Sequence, residues 1–240
     1  MNRPYRNDPD QRRDKPMNKA LHAIFAVAIL LFYLIGCNND PAPNDTASKT
    51  AAATAAARKT IVALGDSLTA GQGVAESMAY PALLQKKLDD DGYHFNVVNA
   101  GVSGETSSGA LSRIEWVISS LKPDIIILET GANDGLRGID TEVLRKNLDR
   151  IVSIIKAHHI RVLLCGMKML PNLGPEYVRA FARIYPEVAR KYDIPLVPFF
   201  LEGVAGDPRF NQPDGIHPTA KGYRRIVDHI YPYVLDVIER

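Results

Sequence analysis

Five short apolar runs, each followed by a longer stretch, set the main constraint on what this chain can fold into. The runs are residues 61–64, 95–99, 124–128, 162–166 and 195–197. The longer stretches read as helices over roughly 80–90, 107–119, 141–158, 176–192 and 219–239. In the third, Leu144, Leu148, Ile151 and Ile155 recur at three-to-four spacing, with Asp140 placed to cap its start. Pro186 and Pro232 are expected to kink or interrupt their helices. Strand–helix alternation calls for a parallel sheet with right-handed crossovers and helices on both faces. The expected fold is therefore α/β, a three-layer α/β/α sandwich of about 180 residues, enough for a sizeable core. No internal repeat is visible.

In such a sheet the loops after the strands share one edge, and ligands bind there. After the first run comes Gly65-Asp66-Ser67-Leu68-Thr69-Ala70-Gly71, which puts a serine hydroxyl at the rim. After the second comes a glycine-rich turn containing Gly104, whose backbone can approach a ligand closely. Asn133 stands among glycines after the third. Past the fifth, Asp214 and His217 lie in Pro213-Asp214-Gly215-Ile216-His217-Pro218, just ahead of the last helix.

Taken singly, each has an ordinary structural role. Ser67 could cap the next helix, Asn133 and Asp214 could serve turns, Gly104 could serve backbone geometry, and His217 could merely start a helix. Taken together on one edge, they supply what acyl transfer needs. His217 would deprotonate Ser67, and Asp214 would hold the imidazole in the right tautomer. The N–H groups of Ser67 and Gly104 and the Asn133 amide would form an oxyanion hole. Asp66 and Asp134 are expected to order their loops by hydrogen bonds. His22, His94, His158, His159 and His229 are read as solvated side chains outside the chemistry.

These blocks carry a family resemblance. Gly65-Asp66-Ser67-Leu68, Gly104, Gly131-Ala132-Asn133-Asp134 and Asp214-Gly215-Ile216-His217-Pro218 resemble the four blocks of the SGNH (GDSL) hydrolase superfamily. The stretches 99–107, 131–138 and 198–202 are similar to its bacterial thioesterase I, lysophospholipase and arylesterase group. The resemblance covers about residues 60–239. It implies a flavodoxin-like, five-stranded parallel sheet in the order 2-1-3-4-5 and a hydrolase without cofactor or metal. It also implies Ser67 as nucleophile, Gly104 and Asn133 as oxyanion donors, and Asp214 and His217 as acid and base. Ala132 replaces a glycine common in the third block, a small change that leaves the Asn133 amide in place. The serine turn differs from the G-x-S-x-G elbow, since Thr69 occupies the last position.

Ahead of this domain, assigned to residues 60–240, lies a different kind of sequence. Residues 1–19 are polar and basic, residues 20–35 are apolar except for His22, and Leu34-Ile35-Gly36-Cys37 closes the run. This has the parts of a secretory signal, and its ending resembles the bacterial lipobox, in which the cysteine is lipidated. The expectation is a lipoprotein signal peptide over 1–36, a lipidated Cys37 and a tether over 37–59. The tether is rich in Asn, Pro, Ala and Thr and nearly devoid of large apolar side chains. The alternative is an uncleaved anchor helix. Met17-Asn18-Lys19 would also make a more ordinary start than Met1. The expected location is a bacterial cell envelope, on the periplasmic side if the cell is Gram-negative.

Charge narrows the partners. Residues 1–36 hold six basic and three acidic side chains, leaving 23 basic and 24 acidic residues in the remainder. A body so near neutral has no basic stripe for nucleic acid. Cys165, inside an apolar run, reads as a buried thiol, and no His/Cys cluster suggests a metal.

The substrate is expected to be a small acyl ester or thioester, including lysophospholipid. Two other readings compete: a carbohydrate O-deacetylase of the envelope, and a non-catalytic lipid-binding lipoprotein. Leu68, Leu136, Met169, Leu170 and Leu173 are apolar residues on or beside the catalytic edge. They favour an acyl site over a sugar cleft, although core or loop packing would account for any one of them. Oligomeric state is not legible.

Overall fold

The computed structural model describes residues 58–240. The expected signal peptide, Cys37 and nearly all of the tether therefore lie outside the described residues. Of the stretch assigned to the tether, Arg58 and Lys59 are described, and Lys59 already opens the first strand.

Five strands form one parallel sheet: β1 Lys59–Gly65, β2 Phe95–Gly101, β3 Ile125–Glu129, β4 Arg161–Cys165 and β5 Leu196–Val197. Their order is β2-β1-β3-β4-β5. β3 is buried along its whole length, as are the last five residues of β1 and the last four of β4. Continuous apolar runs are the pattern expected of strands covered on both faces. β5 keeps only two residues because Pro195 and Pro198 flank it, and proline gives no N–H to a ladder.

Among the described residues, seven α-helices accompany the sheet. α1 is Ser67–Ala70, α2 Tyr80–Asp90, α3 Ser107–Leu121, α4 Ala132–Leu136, α5 Thr141–Ala157, α6 Pro175–Tyr192 and α7 Ala220–Glu239. α2 packs against α7, while α3, α5 and α6 pack side by side, giving the two helical layers. α5 buries Leu144, Leu148, Ile151, Val152 and Ile155, and Asp140 caps it by accepting from the Glu142 N–H.

Of the two effects expected of Pro186 and Pro232, interruption does not occur; both lie inside continuous segments. Each proline removes one backbone hydrogen bond, but the helices bury long stripes that outweigh it. Phe181, Ile184, Tyr185 and Val188 do so in α6, and Ile226, Ile230, Val234 and Val237 in α7. The short helices α1 and α4 fall outside the stretches that read as helices in the sequence. Segments of four and five residues are too short to display a helical period.

Register brings the functional loops together. Gly65 pairs with Gly101, Leu64 with Leu128, and Glu129 with Cys165. The C-terminal ends of these strands are thus level. The loops that follow open on one edge.

Candidate active site

The site begins with the turn out of β1. Asp66 caps α1, its Oδ1 accepting from the Leu68 N–H at 2.9 Å. Ser67 is the first residue of that helix, and Gly71, at φ +80°, ends it after one turn. The turn must be tight because Thr69 folds back over the strand end. A Cβ on Gly65 would overlap the Thr69 hydroxyl and the backbone and side chain of Glu129. Only hydrogen fits there.

The loop before α7 brings the partner of Ser67. Asp214 Oδ1 accepts from the backbone N–H groups of Ile216 and His217, both at 3.0 Å. This closes a small turn in which Gly215 adopts φ +75°. The Gln212 N–H donates to the His217 carbonyl at 2.7 Å, and Thr219 caps α7 by accepting from the Gly222 N–H. So held, the His217 ring places Nδ1 2.7 Å from Asp214 Oδ2 and Nε2 2.9 Å from Ser67 Oγ.

The protonation of this chain follows from Asp214. The His217 backbone N–H, then its ring, then the Ile216 N–H hold the carboxyl down at about 2. An ionised carboxylate only accepts, so Nδ1 carries the ring proton and Nε2 is free to accept from the Ser67 hydroxyl. Ser67 and His217 are both 8% exposed, and both line an open cleft.

Gly104 and Asn133 line the same cleft as Ser67 and His217. Gly104 sits at φ +77°, and its carbonyl accepts from Arg137 Nη2 at 2.7 Å. Asn133, on α4, donates from Nδ2 to Asp66 Oδ2 at 3.0 Å. Asp134 braces the neighbouring loop by accepting from the Ser107 N–H and hydroxyl at 2.7 and 2.5 Å. The expectation that both aspartates order loops describes these contacts.

The cleft has a volume of about 330 Å³. Leu68, Leu136, Met169 and Leu170 contribute to its wall, together with Met167, Phe199 and Leu201 from the ends of β4 and β5. Leu173 does not line it. It belongs to a short 3₁₀ turn, Pro171–Leu173, is 36% exposed and lies beside Gly138.

Three supports were not anticipated from the sequence. Glu129 is fully buried beneath the serine turn. Arg113 forms a shielded ion pair with Glu105 at 2.6 Å and donates to the Ala100 carbonyl, tying α3 to the end of β2. Arg137 holds the Gly104 loop. The signal for Glu129 was available: an acid closing an otherwise apolar strand. His229 also differs from expectation, contacting the Phe199 carbonyl at 3.0 Å in a half-buried position.

Comparison with known proteins agrees with this geometry. Residues 63–225 match the GDSL-like lipase/acylhydrolase family. The chain is 43% identical over 177 residues to esterase TesA of Pseudomonas aeruginosa, covering 74% of this chain and 88% of that one. It is 40% identical over 174 residues to thioesterase 1/protease 1/lysophospholipase L1 of Escherichia coli, covering 72% and 82%. The crystal structure of psychrotrophic esterase EstA from Pseudoalteromonas sp., inhibited by monoethylphosphonate, superposes with a TM-score of 0.73. It shares 32% identity over 76% of this chain and all of the other.

Proposed function

The chain belongs to the GDSL-like lipase/acylhydrolase family and is an SGNH-type esterase/thioesterase, and we propose that it works through an acyl-enzyme on Ser67. The observation that carries this reading is the continuous relay from Asp214 through His217 to Ser67, opening into an apolar cleft. Ser67 Oγ attacks the acyl carbonyl as its proton passes to His217 Nε2. The carbonyl oxygen, now negative, faces the N–H groups of Ser67 and Gly104 and the Asn133 amide. Collapse expels the alcohol or thiol, which takes the proton from His217. Water then repeats the sequence and frees the acid.

The substrate within this reading is an acyl ester or thioester, with lysophospholipid among its natural forms. Support comes from the cleft wall, where Leu68, Leu136, Met169 and Leu170 suit an acyl chain better than a sugar. The Leu-Ile-Gly-Cys ending at Cys37 supports an envelope lipoprotein held to the membrane by lipid on that cysteine. Labelling with an organophosphonate tests the central step. Adduct is expected on Ser67 alone, and adduct on another residue with Ser67 unmodified would overturn the assignment.

A further inference from the structure

Beneath the serine turn lies a pair of acids that the acyl-transfer chemistry does not use directly. We propose that Glu129 is a positioning residue that stays protonated while the enzyme works. It donates its O–H to Asp66 and, through Asp66, holds the Asn133 amide toward the cleft. This deepens the reading of Asn133 as an oxyanion donor and rests on it.

Glu129 closes β3 at the centre of the sheet and is wholly buried. Its Oε2 accepts from the Thr69 hydroxyl at 2.7 Å and from the Asp66 N–H at 3.3 Å. Its Oε1 receives no hydrogen bond. An ionised carboxylate with one oxygen unserved in a dry site is strongly disfavoured. Burial, then the charge of Asp66, push the Glu129 carboxyl far above its usual range. The other titratable groups facing the pair supply little relief. Burial pushes Tyr80, Tyr185, Tyr223 and Cys165 upward too, leaving them neutral. His217 also faces Asp66, and Arg113 donates to the neighbouring Gly65 carbonyl at 3.3 Å.

Two acids this close in a dry site do not both ionise, and the donors decide which one does. Asp66 receives the Leu68 N–H at 2.9 Å and Asn133 Nδ2 at 3.0 Å, and its side chain is within hydrogen-bonding reach of Glu129. The proton therefore rests on Glu129 and the charge on Asp66, which accepts three hydrogen bonds. The consequence reaches the cleft. An amide nitrogen carries two N–H groups, and with one tied to the Asp66 carboxylate the other is fixed in direction. Gly65 is part of the device, since a side chain there would push Thr69 and Glu129 apart.

The test compares full-length wild type, Glu129→Gln and Glu129→Ala at neutral pH. Infrared difference spectra of wild type against Glu129→Gln should show the C=O band of an un-ionised carboxylic acid, present only in wild type. Glutamine is neutral and keeps an N–H donor, so Glu129→Gln should retain kcat within about tenfold. Glu129→Ala, with Asp66 left short of a donor, should lose up to ~10²-fold in kcat with little change in KM. Absence of the acid band, or a kcat for Glu129→Gln as low as for Glu129→Ala, would overturn the proposal. Should Glu129→Ala not fold, the infrared band and the activity of Glu129→Gln decide. Asn133→Ala separates this idea from the reading beneath it. If that variant keeps full kcat, the oxyanion role and the positioning role fall together, whereas a missing acid band removes only the role of Glu129.

Discussion

His217 Nε2 lies 2.9 Å from Ser67 Oγ although 150 residues of chain separate the two. Nothing local connects them. The sheet brings the end of β1 and the loop before α7 to one edge, and the turn built on Asp214 aims the ring. Ser67→Ala should therefore abolish hydrolysis of p-nitrophenyl esters with the thermal midpoint nearly unchanged, because no core volume is lost. A variant that keeps most of its activity would remove Ser67 from the chemistry.

Asn133→Ala should lower kcat by about 10²–10³ with KM little changed, because the donor acts on charge that develops in the transition state. Steady-state kinetics on one soluble ester suffice. A raised KM with kcat intact would make Asn133 a binding residue instead.

Stability should fall as pH rises through the titration of Asp66. Burial raises this carboxyl from 3.8 to about 6, so between those values the folded protein holds a proton that the unfolded chain has lost. Below the lower value there is no penalty, and above the upper it is complete. Asp66→Asn should flatten this decline, read as a smaller drop in thermal midpoint from about pH 4 to pH 7 than wild type shows. An unchanged slope would place the titration elsewhere.

Chain-length preference should depend on Leu170 more than on Leu173. Leu170 lines the cleft and Leu173 does not. Each buried CH₂ contributes roughly 0.8 kcal/mol, so kcat/KM should climb from acetyl esters upward until the cleft is filled. Leu170→Ala should flatten the climb while sparing acetyl esters, and Leu173→Ala should alter it little. A profile that peaks at acetyl and ignores Leu170 would favour the deacetylase reading.

The proposed anchor is tested apart from the chemistry. Several acyl chains together hold a protein stably where one does not. Lipidated Cys37 should keep the protein in the membrane fraction through a salt wash, and Cys37→Ser should release it or leave it unprocessed. An unmodified Cys37 in membrane-extracted protein, found by mass spectrometry, would refute the anchor.

The sequence by itself determined the class of fold, the sheet's alternation and the residues that meet at its edge. Apolar runs such as those that pair Ile61 with Ile125 can be read because burial on both faces leaves a continuous pattern, and α5 because its stripe repeats over about three turns. Ser67, Gly104, Asn133, Asp214 and His217 were legible because each stands in a loop directly tied to a strand end or helix start. Tertiary structure decided what periodicity cannot express. It kept α6 and α7 continuous through Pro186 and Pro232, because packing along the helix outweighs one lost hydrogen bond. It turned Leu173 out of the cleft and drew Phe199 and Leu201 into it, since which side of a loop faces a cavity depends on elements distant in the chain. Above all it placed Glu129 under Asp66. Whether a buried acid is charged depends on the donors that surround it, and those come from β1, α1 and α4 together.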